Sequence, residues 1–158
     1  MGLDLHEGEG IRTGVDVLLL NDQEQVLLGL RKAKAGEGTW GLPGGHQKTG
    51  ETIHETAIRE LREELGEEIQ FELTQKIVSV RENRIHPWYV PHLTIIILGH
   101  HQGGEIVNNP EEQTIEWQWH HLHTLPQSLF SGIEETIKNY HIGLPHIVTD
   151  WHPLPEVK

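Results

Sequence analysis

Cysteine is missing from the sequence altogether. Its absence excludes disulfides and thiolate metal sites, and suits a reducing compartment, so a cytoplasmic protein is expected. Positive charge is scarce: 12 lysines and arginines face 24 aspartates and glutamates, a formal charge of -12. Such a surface repels long polyanions, so neither nucleic acid nor an anionic membrane is expected as a partner. A small phosphorylated ligand remains compatible if a cation mediates. Long apolar runs are lacking too. The longest are strand-sized, too short to span a bilayer, and the opening MGLDLHEGEG has no apolar core of the kind a secretory signal carries. What is present, 35% hydrophobic and 23% charged residues over 158 positions, suits one folded domain over 1–158 with a buried core.

Two short β-rich runs, VDVLLL (15–20) and QVLLGL (25–30), flank the turn-like NDQE and read as a hairpin. The connection KAGEGTWGLPGGHQKTG that follows is too punctuated by glycine and proline for regular structure, and long enough to suggest function. A helix comes next, then strand-like TQKIVSVREN and HLTIIILGH, a polar loop QGGEIVNNPEEQ, and the alternating strand TIEWQWHHL. In QSLFSGIEETIKNY, helical spacing joins Leu129, Ile133, Ile137 and Tyr140, and His141-Ile142-Gly143 ends the pattern. The tail from about 143 to 158 carries three prolines and reads as irregular. The expectation is one α/β domain with a mixed sheet and two principal helices. Histidine is abundant, at 13 residues. His120, His121 and His123 could be imagined on zinc, but neighbours on a strand point to opposite faces, so surface histidines are the better reading.

The helix after the glycine-rich connection has legible ends. Thr52 and Glu55 in TIHE form a capping box, and Gly66 suits a left-handed closing position, so the helix spans 53–65. At about 100° per residue, Ala57, Ile58, Leu61 and Leu65 share the arc that packs on a sheet. Glu60, Glu63 and Glu64 share the adjacent arc, and Arg59 is spaced to meet Glu55 and Glu63. A solvated, salt-bridged face is the ordinary explanation of a charge run. Between Glu51 and Glu68, however, seven glutamates meet two arginines, a local charge of -5. Carboxylates crowded at the border of a buried face either raise one another's pKa or await a cation. Hard oxygen donors at this density suit Mg²⁺ or Mn²⁺, which share their coordination with phosphates and water.

From Gly45 the chain reads GHQKTGETIHETAIRELREELGE. Gly45, Glu51, Arg59-Glu60-Leu61, Glu63-Glu64 and Gly66 fall at the fixed spacings of a motif that resembles the Nudix box of the MutT-like pyrophosphohydrolases, here 45–67. Only its last position departs: a usually apolar place holds Glu67, and Ile69 is the candidate for the lost contact. LLGLRK, GTWGLPGGH, EWQWHHLHTLP and LFSGI resemble a subgroup that hydrolyses nucleoside triphosphates, so the likeness covers roughly 12–140. It implies an α/β/α sandwich with a mixed sheet.

The resemblance also implies roles. Glu60 and Glu64 would be metal ligands, with the Gly45 carbonyl completing the shell. Glu63 would be a further ligand or the base that takes a proton from water. Arg59 and Glu51 would orient the carboxylates, and Glu112, with Glu111 next, would supply a ligand from outside the box. Arg31 would contact phosphate; Leu42, Phe130 and Gly132 would border the base, and Gly44 and His46 would be further substrate-binding residues. Ser131 stands where relatives in the subgroup carry a large aromatic, which would widen the pocket. The implied reaction is Mg²⁺-dependent hydrolysis of a nucleoside triphosphate, normal or oxidised, to monophosphate and pyrophosphate. ADP-ribose, a dinucleotide or a nucleotide sugar is the alternative substrate, and a silent nucleotide-binding module the alternative class. Homodimers are frequent among such proteins, but no exposed apolar stripe in the sequence marks an interface.

Overall fold

The computed structural model describes residues 11–34, 36–85 and 90–150. Eight strands and two helices follow one another: β1 (Arg12–Leu20), β2 (Gln25–Arg31), β3 (Trp40–Gly41), β4 (Gly44–His46), α1 (Ile53–Leu65), β5 (Gln70–Ile85), β6 (Val90–Gly103), β7 (Thr114–His121), α2 (Ile133–Ile142) and β8 (His146–Asp150). The strands form one mixed sheet in the order β3-β2-β1-β6-β5-β8, with β4 paired to β1 and β7 to β2. β1 runs parallel to β6, and β5 parallel to β8. No helix among the described residues is long and apolar enough to cross a membrane.

Period-two alternation in β1 divides its side chains between two layers. Val15, Val17 and Leu19 pack with Ala57, Leu61, Leu65 and Ile69 under α1. Leu18 and Leu20 pack with Ile133 and Ile137 under α2. Each face of the sheet thus carries one helix, and the protein has the α/β/α sandwich expected. Ile69 is buried in the α1 cluster while Glu67 is exposed, so the apolar contact displaced from the end of the box is made two residues later.

Several boundaries differ from expectation. The glycine-rich connection contains regular structure: β3 and β4 are short enough to fit between its turns, and β4 pairs with β1 through Gly14, Val15 and Asp16. α2 starts at Ile133, because Gly132 adopts a left-handed conformation, and Leu129 instead bridges to Trp40. The tail is not irregular throughout. His146–Asp150 forms β8 against β5, since Pro145 precedes the strand rather than interrupting it; residues 151–158 lie outside those described. Gly66 closes α1 with positive φ, 99°, and its N–H donates to the Arg62 carbonyl, but ψ of 159° puts it outside the left-handed helical basin.

Candidate active site

The capping box of α1 is complete: Thr52 Oγ1 accepts from the Glu55 N–H and Glu55 Oε2 accepts from the Thr52 N–H. With Glu55 so engaged, Arg59 turns to Glu51 instead. Its Nε donates to Glu51 Oε1 at 2.6 Å and Nη2 to Glu51 Oε2 at 3.0 Å, a bidentate pair. Nη1 donates to Glu60 Oε1 at 2.7 Å and to Glu63 Oε2 at 3.2 Å, and Nη2 also reaches the His46 carbonyl at 2.9 Å. Arg59 therefore ties the helix to the loop before it and to β4.

Glu51 also accepts from the Lys48 N–H and the Thr56 hydroxyl. The Arg59 guanidinium first, then the Lys48 N–H, lowers its carboxyl to about 2. A carboxylate depressed on folding adds stability that is full above its ordinary value of 4.5 and is lost as pH falls toward about 2. The urea midpoint of the wild type should thus exceed that of Glu51→Gln at pH 7, and the gap should narrow as pH falls below 4.5 and close only near pH 2 and below. An equal gap at both ends would place the stabilisation elsewhere.

α1 lies against β4, which brings its glutamates to the backbone of the double glycine. Glu64 Oε2 accepts from the Gly44 N–H at 3.1 Å. The Glu60 carboxylate lies on Gly45 so closely that a Cβ there would stand 2.5 Å from its carboxyl carbon. Glu60 is 8% exposed. Burial raises the Glu60 carboxyl, against the pull of Arg59 and with the help of Glu63 and Glu112. Glu64 is pushed well above the usual carboxylate range, chiefly by burial and then by Glu60, Asp16 and Glu112.

These groups share one cavity of about 400 Å³. Glu60, Glu64, Glu112 and Gly45 lie along it with Gly44, His46, Arg31, Leu42 and Phe130. The loop carrying Glu112 is anchored at both ends, by Asn109 Nδ2 donating to the Glu63 carbonyl and by the Lys32 N–H donating to the Gln113 carbonyl. Glu63 is on the solvent side of Arg59 and borders a separate, shallow depression with Ile58 and Arg62. Glu111 is exposed and outside the cavity. Gly132 is not part of its lining either, and lies behind Arg81. Arg31 places its guanidinium 4.2 Å above the Phe130 ring. The His46 ring stands edge-on to His92 at 5.4 Å.

Among the described residues, no three histidines, aspartates or glutamates converge at metal-binding spacing. Glu60 is turned to Arg59 and Glu64 to the Gly44 N–H, which separates the two carboxylates. The donor chemistry nonetheless fits a hard divalent cation: carboxylate and backbone-carbonyl oxygens, desolvated and mutually repelling, with Arg59 on Glu60 and Arg31 near Glu64 offsetting them in part. His120, His121 and His123 do not gather. His120 packs edge-on to Trp40, His121 meets Gln25, and His123 stacks on His141.

Two cavity residues, Asp16 and Arg81, escape a reading by motif. They form an ion pair of 3.1 Å. The available signal is a single carboxylate in an otherwise apolar strand, at the same parity as Leu18 and Leu20, where burial demands a partner.

A model of the NUDIX domain matches residues 10–140. The NAD-capped RNA hydrolase NudC of Stutzerimonas stutzeri (strain A1501) is 32% identical over 113 residues, 70% of this chain and 37% of that protein. The m7GpppN-mRNA hydrolase NUDT17 of Xenopus laevis is 34% identical over 83 residues, 51% of this chain and 28% of that protein. The chain therefore spans about a third of the length of these curated relatives. A MutT NUDIX hydrolase from Burkholderia pseudomallei superposes with a TM-score of 0.70 at 25% identity, covering 83% of this chain and 98% of the other. With the domain match, the α/β/α sandwich and the carboxylate helix laid on a double glycine, the chain belongs to the MutT-like Nudix hydrolase family.

Proposed function

We propose that the protein hydrolyses free nucleoside triphosphates, normal or oxidised, to monophosphate and pyrophosphate with Mg²⁺, Mn²⁺ serving as a substitute. One observation carries this reading. A single cavity joins an anionic end, Glu60, Glu64 and Glu112, to an end with two guanidiniums around an aromatic ring, Arg31, Arg81 and Phe130. The first end suits a phosphate chain that arrives with a cation, the second a planar base.

Glu60, Glu64 and the Gly45 carbonyl would hold the metal, with Glu112 as the ligand from the loop. The ion, when bound, supplies charge neutralisation, polarisation of phosphoryl oxygens and a lower pKa for water. Arg59 and Glu51 keep Glu60 in place. Glu63, outside the cavity and held by Arg59, would have to turn inward to accept a proton from water or to add a ligand. Arg31 reaches the phosphates from the Phe130 side, while Leu42, Gly44 and His46 bound the space for the nucleoside and Gly132 acts only from behind Arg81.

The two curated relatives are named for capped RNA, which gives a second reading its observation. The charge of -12 favours the free nucleotide, because an RNA body would have to cross a repelling surface. Nucleoside triphosphates, ADP-ribose, dinucleotides, nucleotide sugars and the two capped RNAs, each assayed with Mg²⁺, separate the readings. Pyrophosphate and a monophosphate from triphosphates support the proposal; faster release from capped RNA than from any triphosphate overturns it. Turnover of none, with nucleotide still bound, would leave a silent binding module.

Metal binding has its own test. Because the carboxylates repel one another without a cation, a few millimolar Mg²⁺ should raise Tm by roughly 5 °C at pH 8. A flat response removes the resting metal site from the account.

A further inference from the structure

In the same cavity, with Asp16 against Gly44 and Arg81 beyond it, an ion pair stands that the metal-binding carboxylates do not use. β1, β6 and β5 lie side by side, and Gly14 and Arg81 are both opposite Thr94 in register. Asp16, Thr94 and Arg81 thereby lie on adjacent central strands within two residues of one register and line the cavity together. Arg81 Nη2 donates to Asp16 Oδ2 at 3.1 Å and Nη1 to the Ser131 carbonyl at 3.2 Å. Its guanidinium carbon is 5.2 Å from the centre of the Phe130 ring. Arg81 is only 4% exposed, and its Nε–H is buried without a hydrogen-bond partner among the described residues.

A structural role accounts poorly for this arrangement. A buried ion pair adds little stability that apolar residues of equal volume would not, and a buried donor left unpaired is costly. The chain makes a further concession. Gly132, with φ of 81°, holds the N-cap of α2, where a Cβ would come within 2.6 Å of Arg81 Cδ. The helix accordingly lacks the side-chain cap that serine, threonine or aspartate would give it. Room for Arg81 has been kept ahead of a better helix.

The ligand this donor awaits is not a phosphate. Asp16 already offsets the Arg81 charge, and Glu64 is near enough to Asp16 to repel it, so an anion would meet two carboxylates. A neutral polar edge would not. We propose that Arg81 and Asp16 are specificity-determining residues that read the hydrogen-bonding edge of the nucleobase. The Arg81 Nε–H donates to a ring nitrogen or carbonyl oxygen, and the Asp16 carboxylate accepts from the neighbouring N–H. The class recognised is a base with an acceptor beside a donor, stacked near Phe130. This rests on the nucleotide reading of the cavity given above.

The test compares kcat/KM across the common ribo- and deoxyribonucleoside triphosphates and purine riboside triphosphate, whose base lacks the exocyclic groups and the N–H. Two variants are used. Arg81→Lys keeps the charge and the Asp16 pair but removes the Nε donor; Asp16→Leu/Arg81→Met removes the pair without stranding a charge. The wild type should favour its best base over purine riboside triphosphate by about 100-fold, the discrimination one good two-point contact provides. Arg81→Lys should cut that ratio by about tenfold, and the double variant should bring it to within about threefold of unity. If the double variant does not fold, Arg81→Lys decides alone. An unchanged ratio in a folded variant overturns the proposal and leaves the pair structural. A wild type that turns over every triphosphate equally overturns it too, while sparing the function proposed above. Hydrolysis of no nucleotide removes both.

Discussion

Glu64→Gln is expected to lower kcat on the order of 10³-fold while leaving the fold intact. The half-buried carboxylate lies between β4 and the cavity, and among the described residues it accepts from the Gly44 N–H. Glutamine keeps the volume, and its amide oxygen can still accept from that N–H. What it loses is a negative charge next to Glu60, and with it the hold on a divalent cation. Several kcal/mol of transition-state stabilisation by a metal corresponds to about 10² to 10⁴ in rate. Near-normal kcat with saturating Mg²⁺ would mean that the metal is bound elsewhere.

Stability tells this loss apart from simple damage. The Glu64 carboxyl is raised on folding, so the folded state binds a proton that the unfolded state has released. Stability is then lost as pH rises from 4.5 through the raised folded value, and the metal-free protein carries the full cost above it. Glu64→Gln removes that titration. At pH 8 without metal its Tm should equal or exceed the wild type's, and its rise with Mg²⁺ should shrink. A lower metal-free Tm would point to damaged packing instead.

How much of this was legible in the sequence depends on how local each feature is. The capping box and the span of α1 follow from residues within four positions of one another, and the structure has both; of the glutamate arc, Glu60 and Glu64 share the cavity while Glu63 stays outside it. The hairpin of β1 and β2 is equally local. β8 was not legible: its partner is β5, more than sixty residues earlier, and the prolines around it suggested irregular structure when they only flank it. The choice by Arg59 of Glu51 over Glu55 turns on a competition that spacing alone leaves open, since the capping box claims Glu55. The Asp16–Arg81 pair is the least local of all. It needs β6 inserted between β1 and β5, a parallel crossover that no short-range pattern announces.

Gly45→Ala is expected to cost about 100-fold in kcat/KM with little loss of stability, an effect of a kind different from that of Glu64→Gln. The backbone at Gly45 does not require glycine, so alanine brings no conformational strain. Its Cβ would nevertheless stand 2.5 Å from the carboxyl carbon and Oε1 of Glu60 and 2.6 Å from Oε2. Those atoms are the mobile end of a long side chain, and they can swing away while α1 stays packed through Leu61 and Leu65. The carboxylate that moves is the one Arg59 holds at 2.7 Å, so the network breaks at the point where charge must be placed accurately. Tm should fall by no more than a few degrees, and the Mg²⁺ concentration for half-maximal rate should rise about tenfold. Wild-type metal dependence in a folded Gly45→Ala protein would show that Glu60 does not need to lie on the β4 backbone to act. A fully unfolded protein would show that the close approach serves packing rather than chemistry.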